Sequence, residues 1–278
     1  PVCDGAGVVE QVGADVTTFK PGDQVVTTFI PDWIEGEPTE AKTSYATRQG
    51  LGAVPGQLSD YKVFSVNQLI HSPANLSVLE ASTLPISGLT AWNALKYGNL
   101  QADERVLLNG TGGVSIFALQ FAKARDAKVI ITSSHDDKLK RAEQLGADIL
   151  INYETMPAWE TVVHQATGGN GADVVVETVG GQNLQRSLNA VKMGGHISIV
   201  GLLQGFDITI NALTLLHKQA HIRGMEVGST QDFIEMNRAI EAHDIHPVID
   251  KVFAFEETQA AFEYLEQGQH FGKVVIAF

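Results

Sequence analysis

A cluster of glycines, Gly110, Gly112 and Gly113, stands where an apolar run meets a helical pattern. The apolar run predicts a strand, and the spacing over residues 114–125 predicts a helix that begins directly after the glycines. Gly110 permits a tight turn, Gly112 lets the backbone approach a ligand, and the amides of Gly113 and Val114 lie at the positive end of the helix dipole. Pyrophosphate binding needs this arrangement, so the cluster predicts a dinucleotide site; a glycine-rich turn without a ligand is the alternative.

The end of the next predicted strand indicates which dinucleotide would bind. An NAD site usually carries Asp or Glu there for the ribose 2′-OH, whereas this chain has Ser133 and Ser134, with Lys138 one helical turn further on. Hydroxyl donors and a nearby cation suit a 2′-phosphate, which favours NADP over NAD. A polar loop with an ordinary surface lysine is the alternative. Asp136 and Asp137 argue against a phosphate pocket unless they cap the following helix.

Two further strand ends are expected at the same edge of the sheet, because ligands of open α/β sheets lie at the carboxyl ends of the strands. One end includes Val179 with Gly180 and Gly181, and the other includes Val200 with Gly201. A glycine at each end allows close approach of the backbone to a ligand. For Gly181, a glycine that merely ends a strand is an equally good interpretation.

Alternating apolar strands and helical patterns predict the elements that position these residues. Strands are predicted at Arg105–Asn109, Lys128–Thr132, Asp148–Ile151, Asp173–Glu177, His196–Val200 and His221–Gly224. Helices are predicted at 114–125, 137–145, 157–167, 182–192 and 231–242. This order predicts a doubly wound parallel sheet of the Rossmann type with right-handed crossovers. Ser115 replaces the third glycine of the fingerprint, so the prediction depends on the order of strand, turn and helix.

The residues before this α/β region predict a β-rich domain. Short β-prone runs occur at 8–9, 25–29 and 61–64, separated by turn signals such as Lys20-Pro-Gly-Asp. The tail from 245 onwards has a strand–helix–strand pattern that we expect to return to this first domain. The predicted domains are therefore 1–76, 77–244 and 245–278, and the fold class predicted for the whole chain is α/β.

Composition excludes several classes of function. The net charge is −13 and no basic stripe is present, so nucleic acid is not an expected partner. Cys3 is the one cysteine, which rules out an internal disulfide and a cysteine-rich zinc site. No apolar run is long enough to predict a membrane span, and a cytoplasmic location is the default expectation.

Several long blocks resemble the medium-chain dehydrogenase/reductase superfamily, in its zinc-free alcohol dehydrogenase-like and quinone oxidoreductase-like branches. The blocks are Asp4-Gly-Ala-Gly-Val-Val, Phe19-Lys-Pro-Gly-Asp-Gln-Val, Ser87-Gly-Leu-Thr-Ala-Trp, Leu145-Gly-Ala-Asp and His270-Phe-Gly-Lys-Val-Val-Ile. The resemblance implies a partial GroES-like β-barrel domain, a Rossmann domain and an active site between them. It also implies an upstream segment that this chain lacks.

The resemblance further implies roles for individual residues. Thr90, Val200, Leu203, Phe271 and Lys273 would approach the nicotinamide half of the cofactor or its pyrophosphate. Ser133, Ser134, Lys138 and Tyr153 would surround the adenosine phosphate. Zinc members carry His and Cys where this chain has Cys3 and Ile86, so no metal site is expected.

Together, these patterns predict an NADPH-dependent, zinc-independent oxidoreductase acting on a carbonyl, a quinone or an activated alkene. The expected partner is a small-molecule substrate, and a homo-oligomer is left open because superfamily relatives are commonly dimers or tetramers. No proton donor emerges from the sequence. The alternatives are a non-catalytic NADPH-binding protein with a redox-sensing or structural role, and a zinc-type alcohol dehydrogenase.

Overall fold

The computed structural model describes residues 2–51 and 53–278, and these form two compact units. Unit 1 comprises Pro1–Leu89 and Val227–Phe278, and unit 2 comprises Thr90–Glu226. Residues 77–89 and 227–244, which the sequence assigned to the Rossmann domain, therefore pack with unit 1. The tail from residue 245 lies in unit 1 as well.

Within the described residues, unit 2 is built on a sheet of six parallel strands. They are β4 (Arg105–Leu108), β5 (Lys128–Ser133), β6 (Ile149–Asn152), β7 (Ala172–Glu177), β8 (Val191–Ile199) and β9 (His221–Gly224). Their order in the sheet is β6-β5-β4-β7-β8-β9. This is the Rossmann order, with the direction of winding reversing beside β4. The doubly wound sheet predicted from the sequence is confirmed.

Helices α2 to α7 connect or flank these strands. They are α2 (Leu89–Tyr97), α3 (Gly113–Lys123), α4 (Asp136–Gln144), α5 (Trp159–Ala166), α6 (Asn183–Ala190) and α7 (Ala212–Lys218). Neighbouring strands align Ile197, Val175, Leu107 and Ile130 in one row across the sheet. This row is fully buried against side chains that include Leu188 of α6. Burial of each such side chain contributes about 2 kcal/mol, which explains the continuous apolar runs in these strands.

Unit 1 is rich in short strands. Among its described residues, β1 (Ala6–Val8), β2 (Gln24–Thr27) and β3 (Leu69–His71) form an antiparallel sheet, while β10 (Ile249–Ala254) and β11 (Lys273–Ala277) pair in parallel. Its helices include α1 (Val78–Ala81), α8 (Thr230–Ala242) and α9 (Thr258–Glu266).

Some local predictions were wrong. The β-prone run at 61–64 is not a strand, and Val63 is 96% exposed. The ammonium group of Lys62 instead donates to the carbonyls of Pro55 and Gly56, so this segment folds onto its own loop. The helix predicted over 182–192 ends at Ala190, because Val191 already pairs with Ala172 of the neighbouring strand.

Over the part of the chain that the structure describes, no helix has the length and apolarity required to cross a bilayer.

Candidate functional site

The turn between β4 and α3 has the backbone geometry that the glycine cluster predicts. Gly110 has a φ of +78°, in the left-handed region that favours glycine. A Cβ built at Gly110 or at Gly112 would meet no atom within 4 Å, so open space lies beside both residues. Gly112 is the N-cap of α3 and has no side chain that could accept from the first amides of the helix. The first amides of α3 therefore have no side-chain acceptor from the N-cap, and the open space beside the cap is one that an anion could fill.

Hydroxyl groups hold this turn in place. The Gly110 amide donates to Oγ1 of Thr132 at 3.2 Å. The hydroxyls of Ser115 and Thr178 both donate to the Asn109 carbonyl at 2.8 Å. Ser115 is 1% exposed, so it replaces the third glycine without blocking the space in front of the turn. Instead, it ties the start of α3 to the end of β4.

Two of the residues predicted around the adenosine phosphate, Ser133 and Tyr153, contact each other at the ends of β5 and β6. The Tyr153 amide donates to the Ser133 carbonyl at 3.1 Å. Ser133 is buried and its hydroxyl accepts from the His135 amide, whereas Ser134 and Lys138 are half-buried. Ser134 Oγ lies 2.7 Å from Nδ1 of His135. Ser134 and Lys138 are thus more accessible to a ligand than Ser133.

The acidic pair in this loop does not cap the helix. The N-cap of α4 is His135, and Asp136 is the first helical residue. Oδ1 of Asp136 accepts from Nδ2 of Asn152 at 2.6 Å, which ties the start of α4 to the end of β6. Asp137 lies 3.7 Å from the ammonium of Lys140. The capping role considered for these carboxylates is therefore wrong, and both have local partners.

The loops after β7 and β8 pack on each other, and this contact explains why one position in them is a glycine. A Cβ at Gly201 would lie 2.3 Å from the Thr178 carbonyl oxygen, closer than any real contact. Close approach of two backbones therefore requires this glycine. Val179 and Val200 are half-buried at the same edge, and Leu203 is 83% exposed. Contact of these residues with a ligand stays a prediction.

We expect Gly201→Ala to destabilise the chain by about 2 kcal/mol, because the added methyl group must displace the loop after β7. Urea unfolding of the variant measures this change. Gly112→Ala is the matched control, since its Cβ would enter open space at a φ of −79°. Equal unfolding free energies for both variants would contradict this account of Gly201.

Sequence reasoning assigned no role to Glu177, the last residue of β7. Its side chain is fully buried, and Oε1 accepts from the amides of Val179 and Gly180 at 2.8 and 3.0 Å. Oε2 accepts from Nδ2 of Asn183 at 2.9 Å and from the Ser187 hydroxyl. An acidic residue ending the apolar run 174–176 is a signal for such a paired, buried carboxylate.

The remaining predicted residues belong to other elements of the chain. Thr90 is buried in α2 of unit 2, and Phe271 is buried in unit 1. The ammonium of Lys273 lies 3.1 Å from Oδ2 of Asp4 and 3.3 Å from Oγ of Ser87. Burial raises the pKa of the Asp4 carboxyl above its ordinary value, and the Lys273 charge opposes that rise. Sequence reasoning missed this pair, because 269 positions separate the two residues.

The two positions that the resemblance pairs with zinc ligands lie together in unit 1. Cys3 and Ile86 line one cavity of about 350 Å³ in unit 1, together with Asp4. Ile86 has no donor atom, and Asp4 is bonded to Lys273. Burial and the Asp4 charge raise the pKa of the Cys3 thiol, which disfavours the thiolate that zinc requires. Among residues 2–51 and 53–278, no group of three or more His, Cys, Asp or Glu is arranged to hold a metal ion.

Comparisons with known proteins agree with this architecture. A family model described as "Alcohol dehydrogenase GroES-like domain" matches residues 1–74, and one described as "Zinc-binding dehydrogenase" matches residues 113–242. The predicted fold class, a GroES-like region with a Rossmann sheet, is thereby confirmed.

Individual relatives cover nearly the whole chain. A zinc-type alcohol dehydrogenase-like protein of Schizosaccharomyces pombe is 42% identical over 99% of this chain and 81% of its own length. A mitochondrial NAD(P)H oxidoreductase of Danio rerio is 30% identical over 99% of this chain and 70% of its own length. A crystal structure of a Sinorhizobium meliloti 1021 protein, provisionally described as an alcohol dehydrogenase, superposes with a TM-score of 0.94. It shares 44% identity and covers 100% of this chain and 81% of that one.

Proposed function

Because this chain belongs to the medium-chain dehydrogenase/reductase superfamily and is an oxidoreductase with a nicotinamide cofactor, we propose that it is NADPH-dependent and zinc-independent. The observation that carries the proposal is the open space in front of Gly110 and Gly112 at the N-terminus of α3. The amides of Gly113 and Val114 would hold the pyrophosphate there. When bound, the nicotinamide supplies the hydride.

The preference for NADPH is supported at the end of β5. Asp136 bonds to the neutral amide of Asn152 and Asp137 lies near Lys140, so both carboxylates keep their charge and count against a phosphate here. What favours a 2′-phosphate is the residue types of this loop, since the half-buried residues Ser134 and Lys138 supply a hydroxyl and a cation. The name of the Danio rerio relative covers both NADH and NADPH. Selectivity is therefore proposed from the side chains of this loop.

The proposed reaction is hydride transfer between the nicotinamide and a carbonyl, a quinone or an activated alkene of a small-molecule substrate. Since Cys3 and Ile86 do not fit a zinc ion, hydrogen-bond donors or water would polarise the substrate oxygen. The proposal includes no nucleic acid or membrane partner. The cytoplasmic location and the homo-oligomer also stay predictions.

Titration of the chain with NADPH and with NADH, followed by cofactor fluorescence and melting temperature, tests the proposal. We expect tighter binding of NADPH and no zinc in elemental analysis of the purified protein. Absence of binding to both nucleotides would refute the proposed function. Binding without turnover of any aldehyde, quinone or enone would favour the non-catalytic alternative, and stoichiometric zinc would favour the zinc-type alternative.

Lys138→Gln tests the proposed selectivity. Removing the cation should weaken NADPH binding about tenfold, because a charge-assisted contact with a phosphate contributes about 1.5–3 kcal/mol. NADH, which has no 2′-phosphate, should bind the variant as it binds the unmodified chain. The ratio of the two dissociation constants is the measured quantity. An equal loss for NADH and NADPH would mean that Lys138 does not contact the 2′-phosphate.

A further inference from the structure

Glu177 lies at the junction of two loops at the carboxyl edge of the sheet. Its carboxylate accepts the amides of Val179 and Gly180, which belong to the loop after β7. Its backbone carbonyl accepts the Val200 amide at 2.9 Å, where the loop after β8 begins. Through its side chain and its main chain, this residue therefore joins both loops.

Further contacts tighten the same junction. The Gln204 amide donates to the Val179 carbonyl at 2.7 Å, and Gly201 lies against the Thr178 carbonyl. The carboxylate is also anchored from α6, by Asn183 and Ser187. A fully buried carboxylate is costly unless donors surround it, so loss of its acceptors would release the loop after β7.

In a Rossmann sheet, the two halves of a dinucleotide bind on opposite sides of the first strand, here β4. A dinucleotide lies across the crevice beside β4, and each half of the sheet receives one mononucleotide. Ser133 and Tyr153, two of the residues proposed for the adenosine phosphate, lie at the ends of β5 and β6. The loops joined by Glu177 follow β7 and β8, on the other side of β4.

We infer that Glu177 is a positioning residue for the nicotinamide mononucleotide half of the cofactor. This inference rests on the proposed function. The carboxylate holds the loop of Val179 against the loop of Val200, so that both loops present a fixed surface to that half. Ser133 and Tyr153, which are proposed for the adenosine half, lie at the ends of strands on the other side of β4. Loss of the carboxylate should therefore weaken the binding of one half of NADPH only.

Two probes separate the halves: NADPH itself, and 2′,5′-ADP, which carries only the adenosine portion. In Glu177→Gln, the new amide group would meet the Nδ2 donor of Asn183, and the loop would shift. We expect NADPH to bind about tenfold more weakly and 2′,5′-ADP to bind within about twofold of the unmodified chain.

Asp173→Asn is the matched control, because it alters a carboxylate at the opposite end of the same strand. Asp173 is 9% exposed and accepts the Arg105 amide at 2.7 Å. A merely structural loss on β7 would weaken the binding of both probes alike. We therefore expect Asp173→Asn to leave the ratio of the two dissociation constants unchanged, and Glu177→Gln to change it. Ser187→Ala is a milder second variant, with an expected loss of about threefold for NADPH alone.

Suppose that the unmodified chain binds both probes and that the Glu177 and Ser187 variants keep the same ratio of the two dissociation constants. This result would overturn the inference and leave the proposed function standing. An unmodified chain that binds neither probe would overturn the proposed function itself. A selective loss of NADPH affinity in Glu177→Gln, absent in Asp173→Asn, supports the positioning role.

Discussion

Gly112→Asp should abolish most of the affinity for NADPH while leaving the chain at least as stable as before. The new carboxylate would enter the open space in front of α3, where the pyrophosphate is proposed to bind. Two like charges about 4 Å apart repel by about 4 kcal/mol near a protein surface. We therefore expect the affinity for NADPH to fall by at least about 100-fold. Stability should rise by a few tenths of a kcal/mol, because Asp is a better N-cap than Gly.

The opposite signs of these two effects make the experiment decisive. Urea unfolding without nucleotide measures stability, and fluorescence titration measures NADPH affinity. Gly112→Asn is the matched control, since Asn has the size of Asp and caps a helix equally well but carries no charge. We expect Asn to retain about tenfold more affinity than Asp. Equal affinities of the Asp and Asn variants would contradict an anion site at this position.

Lys273→Met should reduce the free energy of unfolding by about 3 kcal/mol near pH 7, because it leaves the Asp4 carboxylate buried without its cation. Burial already raises the pKa of Asp4, and loss of the opposing Lys273 charge raises it further. A carboxyl whose folded pKa exceeds its unfolded value favours the folded state when protonated. The deficit of the variant should therefore be small near pH 4 and grow as the pH rises through the folded pKa of Asp4.

Urea unfolding near pH 4 and near pH 7 measures this dependence. The double variant Asp4→Asn with Lys273→Met should recover most of the lost stability, because it removes the charge that would be left unpaired. A deficit of Lys273→Met that is the same at both pH values would indicate lost packing of the lysine stem and refute the electrostatic explanation.

The features that the sequence determined by itself depend on residues that are close together in the chain. The glycines at 110 and 112 lie between a strand and a helix that are adjacent in the chain, so their turn was predictable from spacing. The parallel, doubly wound sheet followed from repeated strand–helix units, which need crossovers between parallel strands, whereas the order of its strands came from the tertiary structure. The run at 61–64 has the composition of a strand but lacks strand neighbours, and β propensity alone could not reveal this.

Contacts between distant parts of the chain were decided only by the tertiary structure. Asp4 meets Lys273 across 269 positions, and Glu177 becomes the junction of two loops only after β8 pairs beside β7. Sequence spacing does not predict such long-range contacts, because they depend on how the elements pack. The sequence therefore predicted a turn suited to holding a phosphate, whereas the tertiary structure decided which buried charges hold the surrounding loops and strands in place.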